Sequence, residues 1–290
     1  MPVVLTSNSY GKSSVRLLKV VRDGARHEIR DLTVDIALEG AFDLAHTHGD
    51  NSAVLPTDTM KNTVYAKAAE SRLGEPEEFA TGLAKHFLGA CAAATTASVS
   101  VAEHGWQRLD TDKGAHDHAF ERGSGEMRTA LVKASRGGAA AVVSGIRDLV
   151  ILKSARSAFT GYPKDRFTTL PETEDRILAT SMTARWHYTS TERAVAARYG
   201  SLFSVVRQTL LAAFAGHDSK SVQHTLYAMG QAVLDENKEV AEITITMPNK
   251  HHLPVDVERF GIASKNEIFL PTPEPYGLIE ATLRRDGSVS

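Results

Sequence analysis

The sequence predicts an α+β protein made of two similar halves, each an antiparallel sheet with helices on one face. Three observations carry this. Residues 28–39 alternate apolar Leu32, Val34 and Ile36 with polar Asp31, Thr33 and Asp35, the pattern of a half-buried strand. Asp23-Gly24, just before it, is a hairpin turn signal that follows another extended run at 14–22. The order strands, helices, strands then occurs a second time after Ser135-Arg136-Gly137-Gly138, which divides the chain into residues 1–135 and 136–290.

Taken in order, residues 14–22 and 28–39 read as a strand pair and residues 57–70 and 75–90 as helices. Pro76 stands in the first turn of the second helix, followed by Glu77 and Glu78, which complement the helix dipole. Strand character returns at 95–109 and 116–134, with a turn expected at Arg122-Gly123-Ser124-Gly125. In the second half, 139–144 and 149–154 read as a strand pair and 177–188 as an extended run. Residues 191–215 and 219–237 read as long helices, and 242–247, 251–257 and 267–270 as closing strands. Phe42, Val99, Val101, Trp106, Trp186 and Tyr188 offer more apolar and aromatic surface than helices on one side would cover, so association through open faces and edges is expected.

Bulk composition narrows the function. A 290-residue chain with 42% hydrophobic residues can bury a full core, and its net charge of -2 argues against a nucleic-acid or membrane-surface protein. Cys91 is the single cysteine, which excludes an internal disulfide or a thiolate metal cluster within one chain. No run is apolar enough to span a bilayer. The N-terminal residues carry no secretory pattern and the C-terminal residues no Ser-Lys-Leu signal, so a cytoplasmic protein is expected.

Three histidine pairs, His46-x-His48, His116-x-His118 and His251-His252, have spacings a metal could use, but no third ligand follows from spacing. Ordinary strand or surface histidines are the simpler reading of the first two. Neighbouring His251 and His252 would face opposite sides of a strand. No nucleophile elbow, phosphate-binding loop or dinucleotide fingerprint occurs.

Several scattered stretches remain. Ser-Tyr-Gly-Lys at 9–12, Thr-Asp-x-x-Lys-Asn-Thr at 57–63 and Pro-Asn-Lys-His-His at 248–252 resemble the urate oxidase (uricase) family. So do Leu149-Val-Ile-Leu-Lys-Ser, the run Thr168 to Thr180, and Pro275-Tyr-Gly-Leu-Ile-Glu-Ala-Thr. The matches follow the family's order along nearly the whole chain. This resemblance implies the tunnelling fold, in which the two antiparallel sheets with outer helices close into barrels in a homotetramer with active sites at subunit interfaces. It implies urate and O2 as substrates, 5-hydroxyisourate and hydrogen peroxide as products, and no metal or organic cofactor.

The resemblance also implies roles. Arg176 and Gln223 would hold the two edges of a flat purine, with the Val222 backbone N–H adding a donor at a helix start. Phe159 would stack on the ring, and Asn249 would hold O2 and later water above it. Lys12, Thr57 and His251 would form a proton relay, with Thr57 supplied by a neighbouring subunit and Asp58 orienting the site through its backbone. Without the resemblance Arg176 reads as a surface arginine, Gln223 as a polar residue at a helix start, Phe159 as a core aromatic, Asn249 as a turn residue and Thr57 as a helix N-cap. Pro56, Thr160 and Pro254 depart from the family's usual residues, and Pro254 predicts an edge or bulge close to His251. Two other readings compete: a tunnelling-fold enzyme acting on a pterin or purine-like ring, and a non-catalytic purine-binding oligomer.

Overall fold

A computed structural model describes residues 3–286. By contacts the chain divides into two units, residues 1–145 with 190–201, and 146–189 with 202–290. The predicted α+β architecture is present in each.

In the first unit, strands β1 (Tyr10–Arg22), β2 (His27–Gly40), β3 (Ala94–Thr111) and β4 (Gly114–Ser135) form an antiparallel ladder in chain order. Between β2 and β3 lie a short helix α1 (Asp43–Thr47), which the sequence reading lacks, and helices α2 (Thr57–Glu70) and α3 (Pro76–Ala90). The β2 alternation does what it predicts: Leu32, Val34, Ile36 and Leu38 are buried, while Thr33, Asp35 and Ala37 are half-exposed. Phe79, Leu83 and Phe87 bury one face of α3 against β3 and β4 at helical spacing. Each such side chain contributes about 1.5–3 kcal/mol on leaving water.

Strand β5 (Ala141–Lys153) runs from the first unit into the second. The second unit continues with β6 (Leu178–Tyr188), helices α5 (Tyr199–Gly216) and α6 (Val222–Glu236), and strands β7 (Val240–Pro254) and β8 (Phe269–Arg284). β7 pairs antiparallel with both β6 and β8. Val222, Leu226, Met229 and Val233 bury one face of α6 against β7 and β8.

Each long helix ends on a basic side chain that comes from a strand or the residues just after one. Lys19 of β1 donates to the carbonyls of Ala68 (2.6 Å) and Ser71 at the end of α2. Arg136, just after β4, donates to Leu88 (2.6 Å) and Cys91 (3.0 Å) at the end of α3. In the second unit Lys153 of β5 donates to the His217 carbonyl beyond α5, and Arg285, just after β8, donates to Leu234 and Asn237 (3.0 Å) at the end of α6. These carbonyls lack partners within the helix, and a cation there also complements the helix dipole.

Several expectations need correction. The turn between β3 and β4 falls at Asp112-Lys113, and Arg122–Gly125 lies inside β4, where the register shifts opposite His104–Trp106. Residues 139–154 form one strand and not a pair, the chain continuing through Asp148 at φ 61°. The helix expected over 191–215 is a short α4 (Arg193–Ala196) followed by α5. Gly200, in the first turn of α5, packs against the Glu75 side chain: a β-carbon there would lie 2.4 Å from the carboxylate, which would have to move aside. The runs 242–247 and 251–257 join in a single β7 that ends at Pro254, and β8 extends well past Leu270. Five of the six residues read as surplus apolar surface (Phe42, Val99, Val101, Trp186 and Tyr188) are buried within the chain, and only Trp106 is exposed, at 37%. The exposed apolar residues are others, including Leu131 on β4 and Val150 and Leu152 on β5.

In the first unit, Glu77 is fully buried at the start of α3, held by Arg128 of β4 (2.7 Å) and by the Ser144 hydroxyl. Burial pushes the Glu77 carboxyl up, opposed chiefly by Arg128. Arg128 also reaches Glu75. Removing the cation strands a buried acid, so Arg128→Met should cost about 3–5 kcal/mol of stability in a denaturant titration.

Candidate active site

In the second unit the site is built on the irregular segment 154–177, which is fastened at three points. The Ala158 amide donates to the Ser219 carbonyl (2.8 Å) and the Ser219 amide to that of Arg156 (3.0 Å), tying the segment to the turn before α6. Phe159 and Thr173 exchange backbone bonds of 2.8 and 3.1 Å, and the Arg176 amide donates to the Ser157 carbonyl (2.7 Å). These bonds put Phe159 and Arg176 side by side, with the Arg176 Cζ 5.2 Å from the ring centroid. Tyr162 lies parallel to the Phe159 ring at 4.7 Å and anchors its hydroxyl on the Leu170 carbonyl.

Arg176 is half-buried, and burial alone pulls its pKa below the ordinary arginine value. Among the described residues no carboxylate pairs with it, and its Nε is buried without a hydrogen-bond partner. Ser157 Oγ and Thr180 Oγ1 are likewise buried and unpartnered. A desolvated, unpaired guanidinium beside an aromatic ring is an electrostatic site for a flat anion.

The first turn of α6 follows directly from the Ser219 anchor. Ser221 is its N-cap, accepting from the His224 amide at 3.1 Å. The amides of Val222 and Gln223, the first two helical residues, have no partner within the helix, and the Gln223 side chain is exposed. Asn249 is buried on β7, opposite Thr180 of β6 and Gly277 of β8. The register of β7 on β8 shifts between Asn249 and His251, and beyond Asn249 β7 pairs with β8 alone, the local edge that Pro254 predicts. The His251 carbonyl accepts from the Thr272 hydroxyl (3.2 Å).

Lys12, Thr57 and Asp58 belong to the first unit. Gly11 packs so tightly on β2 that a β-carbon would sit 1.8 Å from the Ile36 carbonyl oxygen, which fixes the backbone before Lys12. A bulge follows, with Ser14 at φ 58° and its amide on the Asp35 carboxylate (2.7 Å). Tyr10 links this strand to α2: its hydroxyl accepts from the Leu55 amide (2.9 Å) and its ring meets Phe42 edge-on at 4.8 Å. Thr57 is the first helical residue and not the N-cap. Pro56 holds the cap position and makes no side-chain bond there. Among the described residues the Thr57 hydroxyl makes no hydrogen bond, and none joins it to Lys12. Asp58 is exposed, and its carboxylate is held below the usual range chiefly by Lys61, with small contributions from Asn62 and Lys12.

The sequence reading assigns no role to Tyr10, Ser221 or the Ser219 anchor. Ser221 was findable as a serine directly before an apolar helical run, whereas the other two act through contacts distant in sequence. Among the described residues no three His, Cys, Asp or Glu side chains group as a metal site; His116 and His118 meet edge-to-face at 4.6 Å.

Burial, and after it the Cys91 thiol, pushes the Tyr10 hydroxyl up to about 12. A raised folded value adds stability that is present below the unfolded tyrosine value near 10 and is lost as pH rises through the folded value. Wild type should therefore lose more stability than Tyr10→Phe between pH 10 and 12. At neutral pH the substitution, which leaves the Leu55 amide without its acceptor, should cost about 1–3 kcal/mol. Denaturant titrations across pH check both.

The uricase family profile matches residues 8–133 and 142–280. The uricase of Arthrobacter globiformis is 48% identical over 286 residues, covering 99% of this chain and 91% of that one. The uricase of Dictyostelium discoideum is 37% identical, covering 98% of each chain. The crystal structure of the Arthrobacter globiformis uricase superposes with a TM-score of 0.92 at 46% identity, covering 100% of this chain and 98% of that one. With this agreement over the full length in sequence and fold, the chain belongs to the uricase family.

Proposed function

We propose that this protein is a urate oxidase, converting urate, O2 and water to 5-hydroxyisourate and hydrogen peroxide. Two electrons leave the purine, dioxygen takes them with two protons, and water supplies the oxygen that remains on the ring. The observation that carries this reading is the Arg176–Phe159 pair, an unpaired and desolvated guanidinium against an aromatic ring, in a chain of this family.

Urate is planar, electron-rich and anionic at neutral pH. Triplet dioxygen reacts slowly with closed-shell molecules, so the substrate must be made a better reductant. Removing a second proton does this by concentrating charge on the ring. Arg176 stabilises that charge through paired in-plane donors, Gln223 meets the opposite edge with one donor and one acceptor, and the Val222 amide adds a third contact. Phe159 holds the ring flat, and Asn249 holds O2 and then water above it. Lys12 accepts the proton, Thr57 passes it without storing charge, and His251 completes the relay. The free Thr57 hydroxyl supports this role, because helix capping does not use it. A homotetramer in which a neighbouring subunit's Thr57 completes each site is part of this proposal, supported by membership of the uricase family. The relatives reported above are uricases, which disfavours a pterin-handling enzyme.

Incubation with urate in air and a chelator, following ultraviolet absorbance and peroxide, tests the reading; urate that persists unchanged overturns it. Lys12→Met should lower kcat by about 10²–10⁴-fold with little change in urate affinity, and an equal loss of binding would contradict the relay. Arg176→Ala should chiefly raise KM, and steady-state kinetics that leave KM at the wild-type value would remove the clamp.

A further inference from the structure

Beside the α6 start lies a histidine pair that the mechanism does not use. The rings of His217 and His224 meet edge-to-face with centroids 4.3 Å apart. His217 follows the last turn of α5, where its amide donates to the Ala213 carbonyl (3.1 Å) and its own carbonyl accepts from Lys153. His224 is in the first turn of α6, next to Gln223. The Lys220 amide donates to His224 Nδ1 at 3.3 Å. An N–H can donate only to a ring nitrogen that carries no proton, so this bond exists with Nδ1 deprotonated. The His224 amide meanwhile donates to the Ser221 hydroxyl at 3.1 Å. One residue thus holds both ends of the turn 220–224 from which the Val222 and Gln223 groups project.

We infer that His224 positions the first turn of α6 for substrate by accepting from the Lys220 amide, and that a proton on its Nδ1 weakens urate binding without entering the chemistry. The inference rests on the urate oxidase reading and deepens it. A proton on Nδ1 removes the acceptor of the Lys220 amide, and charge on either ring places a cation against its neighbour. The surroundings oppose a second charge: Lys153 on β5, Arg156 in the segment after it, and Lys220 in the turn are cations, against the carboxylates of Asp218, which Arg156 engages at 2.6 Å, and of Asp175, which acts on Lys153. In accord with this, burial, His224, Lys153 and Arg156 hold His217 below the ordinary imidazole range, opposed by Asp218.

The test is KM and kcat from pH 5.5 to 8.5 for the wild type, His224→Asn and His224→Leu. An asparagine amide oxygen replaces Nδ1 as the acceptor but does not titrate. The expected result is a wild-type KM that rises at least threefold between pH 7.5 and 5.5. His224→Asn should flatten that rise, and His224→Leu should have a raised, flat KM, with kcat within about twofold throughout. Urate's own ionisation affects all three proteins alike. An acid-side KM rise of the same size in His224→Asn would overturn the inference. Hydrogen exchange at the Lys220 amide without substrate separates this failure from failure of the functional reading. Protection lost at pH 5.5 in wild type and kept in His224→Asn sustains the device even if urate is not turned over. Equal loss in both proteins ends it.

Discussion

The basic side chains that close the helices are what the rest of this structure leans on. A helix ending in solvent satisfies its last carbonyls with water; here Lys19, Arg136, Lys153 and Arg285 do so from the strands or the residues just beyond them. Each contact satisfies backbone acceptors, opposes the negative end of a helix dipole and fixes where the helix lies along its sheet. The arrangement is duplicated. In each unit a lysine on the first strand holds the first long helix, and an arginine following the last strand holds the second. No close sequence repeat accompanies this duplication, so the two halves share a mechanical plan more clearly than they share residues.

The clasps also account for the placement of the candidate site. With Lys153 holding the turn after α5, and Arg156 reaching Gly216 and Asp218, the chain is fixed on its way to Ser219. Ser219 then carries the segment that presents Phe159 and Arg176, and three residues later α6 begins and presents Val222 and Gln223. In the first unit Tyr10 does comparable work, joining the start of β1 to the residues in front of Thr57. Site residues far apart in sequence are in this way set by a few backbone bonds to rigid elements, with Arg176 making no ion pair among the described residues.

The regular elements were largely legible in the sequence because their periodicity is local. β2 and the helices α2 and α3 emerged close to their observed bounds. Strand β8 did not, since Pro271, Pro275 and Gly277 break the pattern that marks a strand, and only its pairing with β7 holds it extended. The break between α4 and α5 falls at Ala197-Arg198, where no glycine or proline marks it in the sequence. Arg176 was nameable only through family resemblance: its segment has no periodicity, and its burial and lack of a partner are properties of the folded chain. The N-cap reading that Thr57 has without the resemblance does not hold, since Pro56 takes the cap position and supplies the extended backbone that starts the helix.

Arg285 stands immediately past the final strand, yet it is the residue that holds the far end of α6. A shortened form cut at the last β-residue would keep every ladder bond of the sheet and still leave α6 unfastened at one end. The opposite end of that same helix carries the Val222 and Gln223 groups. Trimming that removes Arg285 therefore loosens the helix whose other end carries the groups proposed to meet the substrate.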